Sequence, residues 1–217
     1  MTDIFREVDE DLRREQFKEL WAKYQGLVIG GALLIIVSVG GWRGYEWWQA
    51  RLAAEAGTSF ESAIMLSEAG KNAEAAAALE KIAQDGTPAY RELAALRRGA
   101  ELAATDPKAA IAAYQEIAND SRVETILREL ASLRAAAILI QESAFPEVRK
   151  LLQPMDAPGR FYRHSARELL AIAAWHSGDA DGLKRMLTLM LTDPETPLST
   201  RSRIEVLVAL SAADGKG

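Results

Sequence analysis

The sequence predicts an all-α fold in which a single transmembrane helix precedes a helical-repeat domain. Three observations support that reading. Residues 26–42 carry no charge, no stretch beyond residue 49 alternates apolar and polar residues as a strand does, and chain breaks return at intervals of 35, 37 and 36 residues. With 217 residues and 49% hydrophobic content there is room for one anchored domain with its own core, which sets disorder aside as the main character of the chain.

Charge is spread evenly, with 6 basic against 8 acidic residues over 1–48 and 20 against 23 over 49–217. Neither part is a basic arm that seeks phosphate backbones, so nucleic acid is not an expected partner. The chain has no cysteine, which removes disulfides, thiolate nucleophiles and cysteine metal sites together. That absence fits an oxidising compartment managed without bridges.

Residues 1–25 carry Ile4, Val8 and Leu12, then Phe17, Leu20, Trp21 and Tyr24, at helical spacing among mixed charges. This predicts an amphipathic segment leading into the span. It lacks the polybasic signature of anionic-lipid binding, so a protein partner or solvation is expected for its polar face.

The membrane helix is placed at 26–48. A span needs roughly 20 apolar residues, and the 17 uncharged residues of 26–42 reach that length if the helix continues past Arg43, whose long side chain can snorkel. Trp21 and Tyr24 lie at one end and Trp42, Tyr45, Trp47 and Trp48 at the other, forming the two aromatic belts of a span. A buried core helix is the competing reading, and the belts argue against it. Arg6, Arg13, Arg14, Lys18 and Lys23 precede the run, whereas only Arg43 and Arg51 follow closely. The positive-inside rule therefore puts the N-terminus in the cytoplasm and the C-terminal domain outside. The apolar run begins too late and runs too long for a cleaved leader, which predicts an uncleaved signal anchor.

Within the span Gly26, Gly30, Leu33, Val37, Gly40 and Gly44 alternate steps of four and three, which puts them on one helical face. Glycine permits close backbone approach in lipid, so Gly26, Gly30, Gly40 and Gly44 form a candidate seam for a partner helix or a second copy of the chain. Glycine is also simply frequent in membrane helices, and that plainer reading stands beside it.

Residues 49–213 are expected to be helical throughout, with breaks at 69–72, 85–88, 105–107, 119–121, 142–143, 154–159, 177–179 and 193–194, each carrying turn or capping residues. Gly70, Thr105, Glu142 and Gly178 mark the periodic ones. Matching positions follow them: Leu79, Tyr114, Leu151 and Leu187 in one row, and Ile82, Ile117, Pro154 and Met190 in a second. Leu102, Leu139 and Trp175 close the helix before each break. This is a helix-turn-helix repeat close to the 34-residue tetratricopeptide period, a tetratricopeptide-like α-solenoid. Alanines at 75–78, 109–110, 112–113 and 135–137 are read as close-packing positions. The last helix, with Ile204, Leu207, Val208 and Leu210, is read as a terminal cap, and 214–217 as a flexible tail.

A charged N-terminus, a glycine-rich anchor ending in Gly41, Trp42 and Arg43, and a divergent repeat domain starting near Ala56, Gly57 and Phe60 together resemble the YfgM-like tetratricopeptide family, ancillary subunits of the bacterial Sec translocon. The resemblance covers the whole length. It implies an inner-membrane protein with a periplasmic domain, working beside the Sec translocon subunits and periplasmic chaperones on translocated clients.

Repeat arrays bind through the face lined by the first helix of each pair. Arg91, Arg128 and His164 stand fourteen residues before successive breaks, and Arg97 and Arg134 stand eight before. With Arg98, Arg163 and Arg167 they form a candidate basic ladder for acidic segments or a client carboxylate. Interleaved Glu92, Glu101, Glu129 and Glu168 favour a solvated charged face as the alternative. His164 and His176 lack a third ligand at helical spacing, so no metal site is expected. No nucleophile motif, dinucleotide fingerprint or phosphate loop is present, and neither a cofactor nor catalysis is expected. The leading expectation is an anchored interaction adaptor. A scaffold for cytochrome or outer-membrane protein assembly is the nearest rival, and an anchored hydrolase a third.

Overall fold

The computed structural model describes the backbone of residues 2–213 and the side chains of residues 18 and 20–211. The expected apolar stripe of Ile4, Val8, Leu12 and Phe17 and the tail 214–217 lie outside these described parts. The described residues form helices joined by turns, with no strand among them. By its contacts the chain divides into two units, residues 1–54 and 55–217.

The described residues of the first unit lie within α1 (Thr2–Glu68). Leu27 to Val39 supply nine large apolar side chains that are each between 51% and 76% exposed. Water tolerates exposed apolar patches of only a few hundred Å² on a typical monomer, and this helix exposes apolar side chains around its whole circumference. Among the described residues α1 is the one helix long and apolar enough to cross a membrane. From Trp21 to Trp42 the α-helical rise gives about 32 Å, close to the ~30 Å hydrocarbon thickness. Polar ends of the aromatic residues find partners along the helix: Trp42 Nε1 donates to Glu46 (2.9 Å) and Gln49 donates to Tyr45 (3.0 Å). Lys23 lies over the Tyr24 ring and Arg51 over Trp47.

The second unit continues with α2 (Asn72–Asp85), α3 (Pro88–Ala103), α4 (Pro107–Asn119), α5 (Thr125–Gln141) and α6 (Phe145–Leu152). A single 3-10 turn (Gln153–Met155) leads to α7 (Arg163–Ser177), α8 (Ala180–Thr192) and α9 (Leu198–Ala213). Each of the eight expected breaks falls at a junction between successive helices. The chemistry of those breaks is local. Pro88 and Pro107 open α3 and α4 at the position where a helix does not need the missing N–H. Asp106 and Asp179 cap by accepting from the backbone N–H of Ala109 (3.0 Å) and Gly182 (2.9 Å). Gly178 ends α7 at φ 74°, a left-handed conformation that glycine adopts without steric cost.

Successive helices pack in series, and α3 touches α5, α5 touches α7 and α7 touches α9, so the odd-numbered helices form one layer of a two-layer solenoid. Its core is divided into four clusters, one after another along the stack. They are centred on Leu79 and Ile82, on Tyr114 and Ile117, on Val148 and Leu152, and on Leu183 and Met186. Each fully buried Leu, Ile or Met stabilises by roughly 1.5–3 kcal/mol. Small residues let the helices approach. Ala75, Ala110, Ala135 and Ala136 are buried, and a methyl group placed on Gly99 would lie 2.7 Å from the Tyr114 ring.

Two expectations change. Pro154 is exposed rather than in the buried row, and Leu151 and Leu187 are only half-buried. A proline in a helix interior removes a hydrogen bond and clashes with the preceding turn, so α6 stops at Leu152 and the chain tightens into the 3-10 turn. The buried stripe is thereby shifted by one residue to Val148, Leu152 and Met155. On the terminal helix Ile204 and Leu207 are buried as expected, whereas Val208 and Leu210 are exposed rather than covering the preceding pair.

Gly99→Ala is expected to destabilise the repeat domain by about 1–3 kcal/mol, the usual cost of overpacking. Denaturant unfolding of the full chain in detergent checks this, with the helical signal of the folded state unchanged.

Candidate functional site

The basic ladder does not occupy one face. On α3, Arg97 donates to Ser67 of α1 (2.8 Å) and pairs with the buried Glu101 (2.7 Å), whereas its neighbour Arg98 pairs with Glu80 of α2. Adjacent residues on a helix point about 100° apart, so the two arginines serve opposite neighbours. On α5, Arg128 reaches back to Thr125 (2.9 Å), and Arg134 is exposed. On α7, Arg163 and Arg167 are buried. Arg91 stays exposed on the rim of a recess of about 370 Å³ between α2, α3 and α4, which Glu92 and Glu116 also line.

Most of the cross-helix polar contacts share one property. Ser67–Arg97, Glu129–Arg160, Arg149–Asp179, Arg163–Asp193 and Glu168–Arg203 join residues 30, 31, 30, 30 and 35 positions apart, about one repeat. The charges of the repeat units therefore zip each helix pair to the next.

The densest knot lies where the last helix joins. Asp193 follows α8, and its carboxylate accepts from Arg163 (3.0 Å), Arg167 (2.9 Å) and the backbone N–H of Glu195 (3.0 Å). Its carbonyl accepts from Arg201 of α9 (3.1 Å). Arg163 also donates to Glu195 (2.8 Å), and Arg167 to Asp156 beside the 3-10 turn. Helices α7 and α9 and the turn between α8 and α9 meet at one residue. The Glu195 backbone N–H and then Arg167 and Arg163 hold the Asp193 carboxyl below its ordinary value. The Glu195 hydrogen bond raises Arg163 above its own. His164 contacts Thr196 (3.4 Å) and Arg163 (3.4 Å). Burial, followed by repulsion from Arg163 and Arg167, lowers its pKa, against the pull of Asp193 and Glu195.

His164, Asp193 and Glu195 bring three ligand atoms within 4.8 Å of one another, a spacing that a metal ion could use. Arg163 already binds both carboxylates and Arg167 one of them, so a cation would have to displace two arginines. The arrangement is that of a structural clasp. Sequence reasoning missed it because the ligands lie 29 and 31 residues from His164. The available signal was Arg163 and Arg167 at helical i, i+4 spacing, which points both into one neighbour.

The seam glycines Gly26, Gly30, Gly40 and Gly44 stand open on α1. A methyl group at any of them would meet no atom within 4 Å.

The sequence model of a family described as a tetratricopeptide repeat-like domain matches residues 18–190. No curated protein and no solved structure matches the chain.

Arg167→Ala strands Asp156 and takes one of two arginines from Asp193 in a partly buried site, and is expected to cost about 3 kcal/mol of stability, against a smaller loss for an exposed change such as Arg185→Ala. Equilibrium unfolding of the two variants compares them. The clasp also predicts an acid response. His164 is less basic in the fold than in the unfolded chain, so its contribution is complete above the unfolded value of about 6.5 and fades as pH falls through the window below it. Asp193 adds a second loss lower down, as pH falls from the ordinary carboxyl value through its depressed one. Melting temperature against pH should fall on acidification below about 6.5, and His164→Gln should remove the first step and leave the second.

Proposed function

The chain belongs to the tetratricopeptide repeat-like domain family, and on that premise we propose that it is a membrane-anchored adaptor that holds other proteins on its repeat domain. The observation that carries this reading is the pairing, in one chain, of a span-length helix with exposed apolar side chains and a repeat solenoid of the protein-interaction type. The exposed helix needs a hydrocarbon solvent, and the aromatic belts at Trp21 and Trp42 suit its two interfaces. We place the span at 26–48, the cytoplasmic segment at 1–25 and the repeat domain at 49–213 in the periplasm of a bacterial cell, since basic residues cluster before the span.

The resemblance to YfgM-like proteins favours the Sec translocon, periplasmic chaperones and translocated clients as partners. Two surfaces are offered to them. The recess with Arg91 on its rim presents cationic and anionic groups side by side, which suits client segments of mixed charge. The open glycine face of α1 suits a second membrane helix. Arg97, Arg98, Arg163 and Arg167 hold the solenoid together, so Arg91, Arg128 and Arg134 are the ladder positions left for partners.

Affinity purification of the tagged full chain from native membranes tests the reading. Translocon and chaperone subunits are the expected companions. A stable complex without them would overturn the assignment, and a cytochrome or outer-membrane assembly complex in their place would make the chain its scaffold. Arg91→Glu is expected to reduce client recovery roughly tenfold with helicity unchanged. Gly40→Leu with Gly44→Leu should instead reduce recovery of the membrane subunits. A periplasm-dependent reporter fused after Gly217 should be active, and an inactive fusion would reverse the topology.

A further inference from the structure

The odd-numbered helices α3, α5, α7 and α9 touch one another along the stack, and among the described residues no two even-numbered helices make a comparable contact. Spaces are therefore left between successive even-numbered helices, each floored by the odd-numbered helix that runs between them. Two of these are recesses: one of about 370 Å³ over α3, between α2 and α4, and one of about 200 Å³ over α7, between α6 and α8. The larger falls in the size range of pockets that hold ligands.

What the larger recess can hold follows from which of its charges are already spent. Arg98 pairs with Glu80 across α3 and α2, and Arg122 pairs with Asp120 (2.8 Å) at the end of α4. The side chains of Arg91, Glu92 and Glu116 have no ion-pair or hydrogen-bond partner among the described residues. Two carboxylates are thus left for one guanidinium. Glu92 is half-buried in the wall, where an unpaired carboxylate gains most from an arriving cation. Ala95, Ala113 and Ile117 line the same recess and give an apolar bed for the aliphatic stem of a lysine or arginine. The recess over α7 has no such surplus. Its Asp156 and Asp179 are engaged by Arg167 and Arg149, and the unpaired charge there is the guanidinium of Arg185.

We propose that the recess over α3 seats a polypeptide segment carrying two basic side chains and one acidic one, the basic pair on Glu92 and Glu116 and the acidic group on Arg91. The occupant's charge mirrors what the recess leaves unpaired, and such complementarity sets which segments are admitted more than how tightly they hold. The seat opens between the second helices of two successive pairs. This inference deepens the adaptor reading above and rests on it, since it names the chemistry of the client segment.

Two labelled peptides test it on the full chain in detergent at low salt, read by fluorescence anisotropy. One is Ala-Lys-Ala-Glu-Ala-Lys-Ala-Ala and the other its charge-inverted counterpart, Ala-Glu-Ala-Lys-Ala-Glu-Ala-Ala. The first should bind about tenfold more tightly than the second. Glu92→Gln with Glu116→Gln should erase that preference with the helical signal preserved. Glu205→Gln, an exposed carboxylate on α9, should leave it unchanged and so controls for net charge. Equal affinity for the two peptides, binding of neither, or an equal loss in Glu205→Gln would each overturn the proposal. Preference for the inverted peptide, removed by Arg91→Glu, would overturn the charge assignment and leave the adaptor reading standing. Failure to recover any companion from native membranes would overturn the adaptor reading, whichever peptide the recess selects.

Discussion

A pair of amphipathic helices cannot bury both of its apolar faces, and nearly everything in the repeat domain follows from that. Each pair needs a neighbour on either side, so the core is laid down as four clusters along a stack rather than gathered at one centre. Stacking at this distance in turn requires small residues at the contacts. Gly99 accepts the Tyr114 ring, Gly57 admits the Tyr90 hydroxyl, and buried alanines recur at Ala75, Ala110 and Ala135. The apolar stripes supply the attraction, and the small residues set how close it acts.

Polar groups then fix what apolar burial leaves loose, the angle between one pair and the next. Contacts such as Glu129–Arg160 and Arg163–Asp193 tie residues about one repeat apart. The polar contacts are densest where α9 joins α7 and α8, with two buried arginines sharing Asp193. Buried ion pairs give directional constraint more than net stability, since desolvation offsets much of their attraction. Their concentration at this junction fixes how α9 is oriented against α7 and α8.

The layout of helices was legible because its signals are local. Pro88, Pro107, Asp106, Asp179, Gly70 and Gly178 each act on the turn in which they stand, and the apolar period is read along a single helix. The long apolar helix was legible for the same reason. What escaped was set by residues distant in sequence. Arg97 and Arg98 look alike in a pattern and part company only because α1 and α2 flank α3 on different sides. Arg163 and Arg167 read as a binding row until Asp193, 30 and 26 positions away, is brought beside them. The shift from Pro154 to Met155 depends on how a 3-10 turn rotates the stripe that follows, which spacing counts alone do not resolve.

A core cut into four compartments also shapes how the molecule yields to load. A domain with a single central core comes apart when that core is breached, whereas here a pull transmitted along the chain opens one helix pair and meets the next still closed. Stability is then a sum over neighbouring pairs, so unfolding can begin at one pair and spread along the stack.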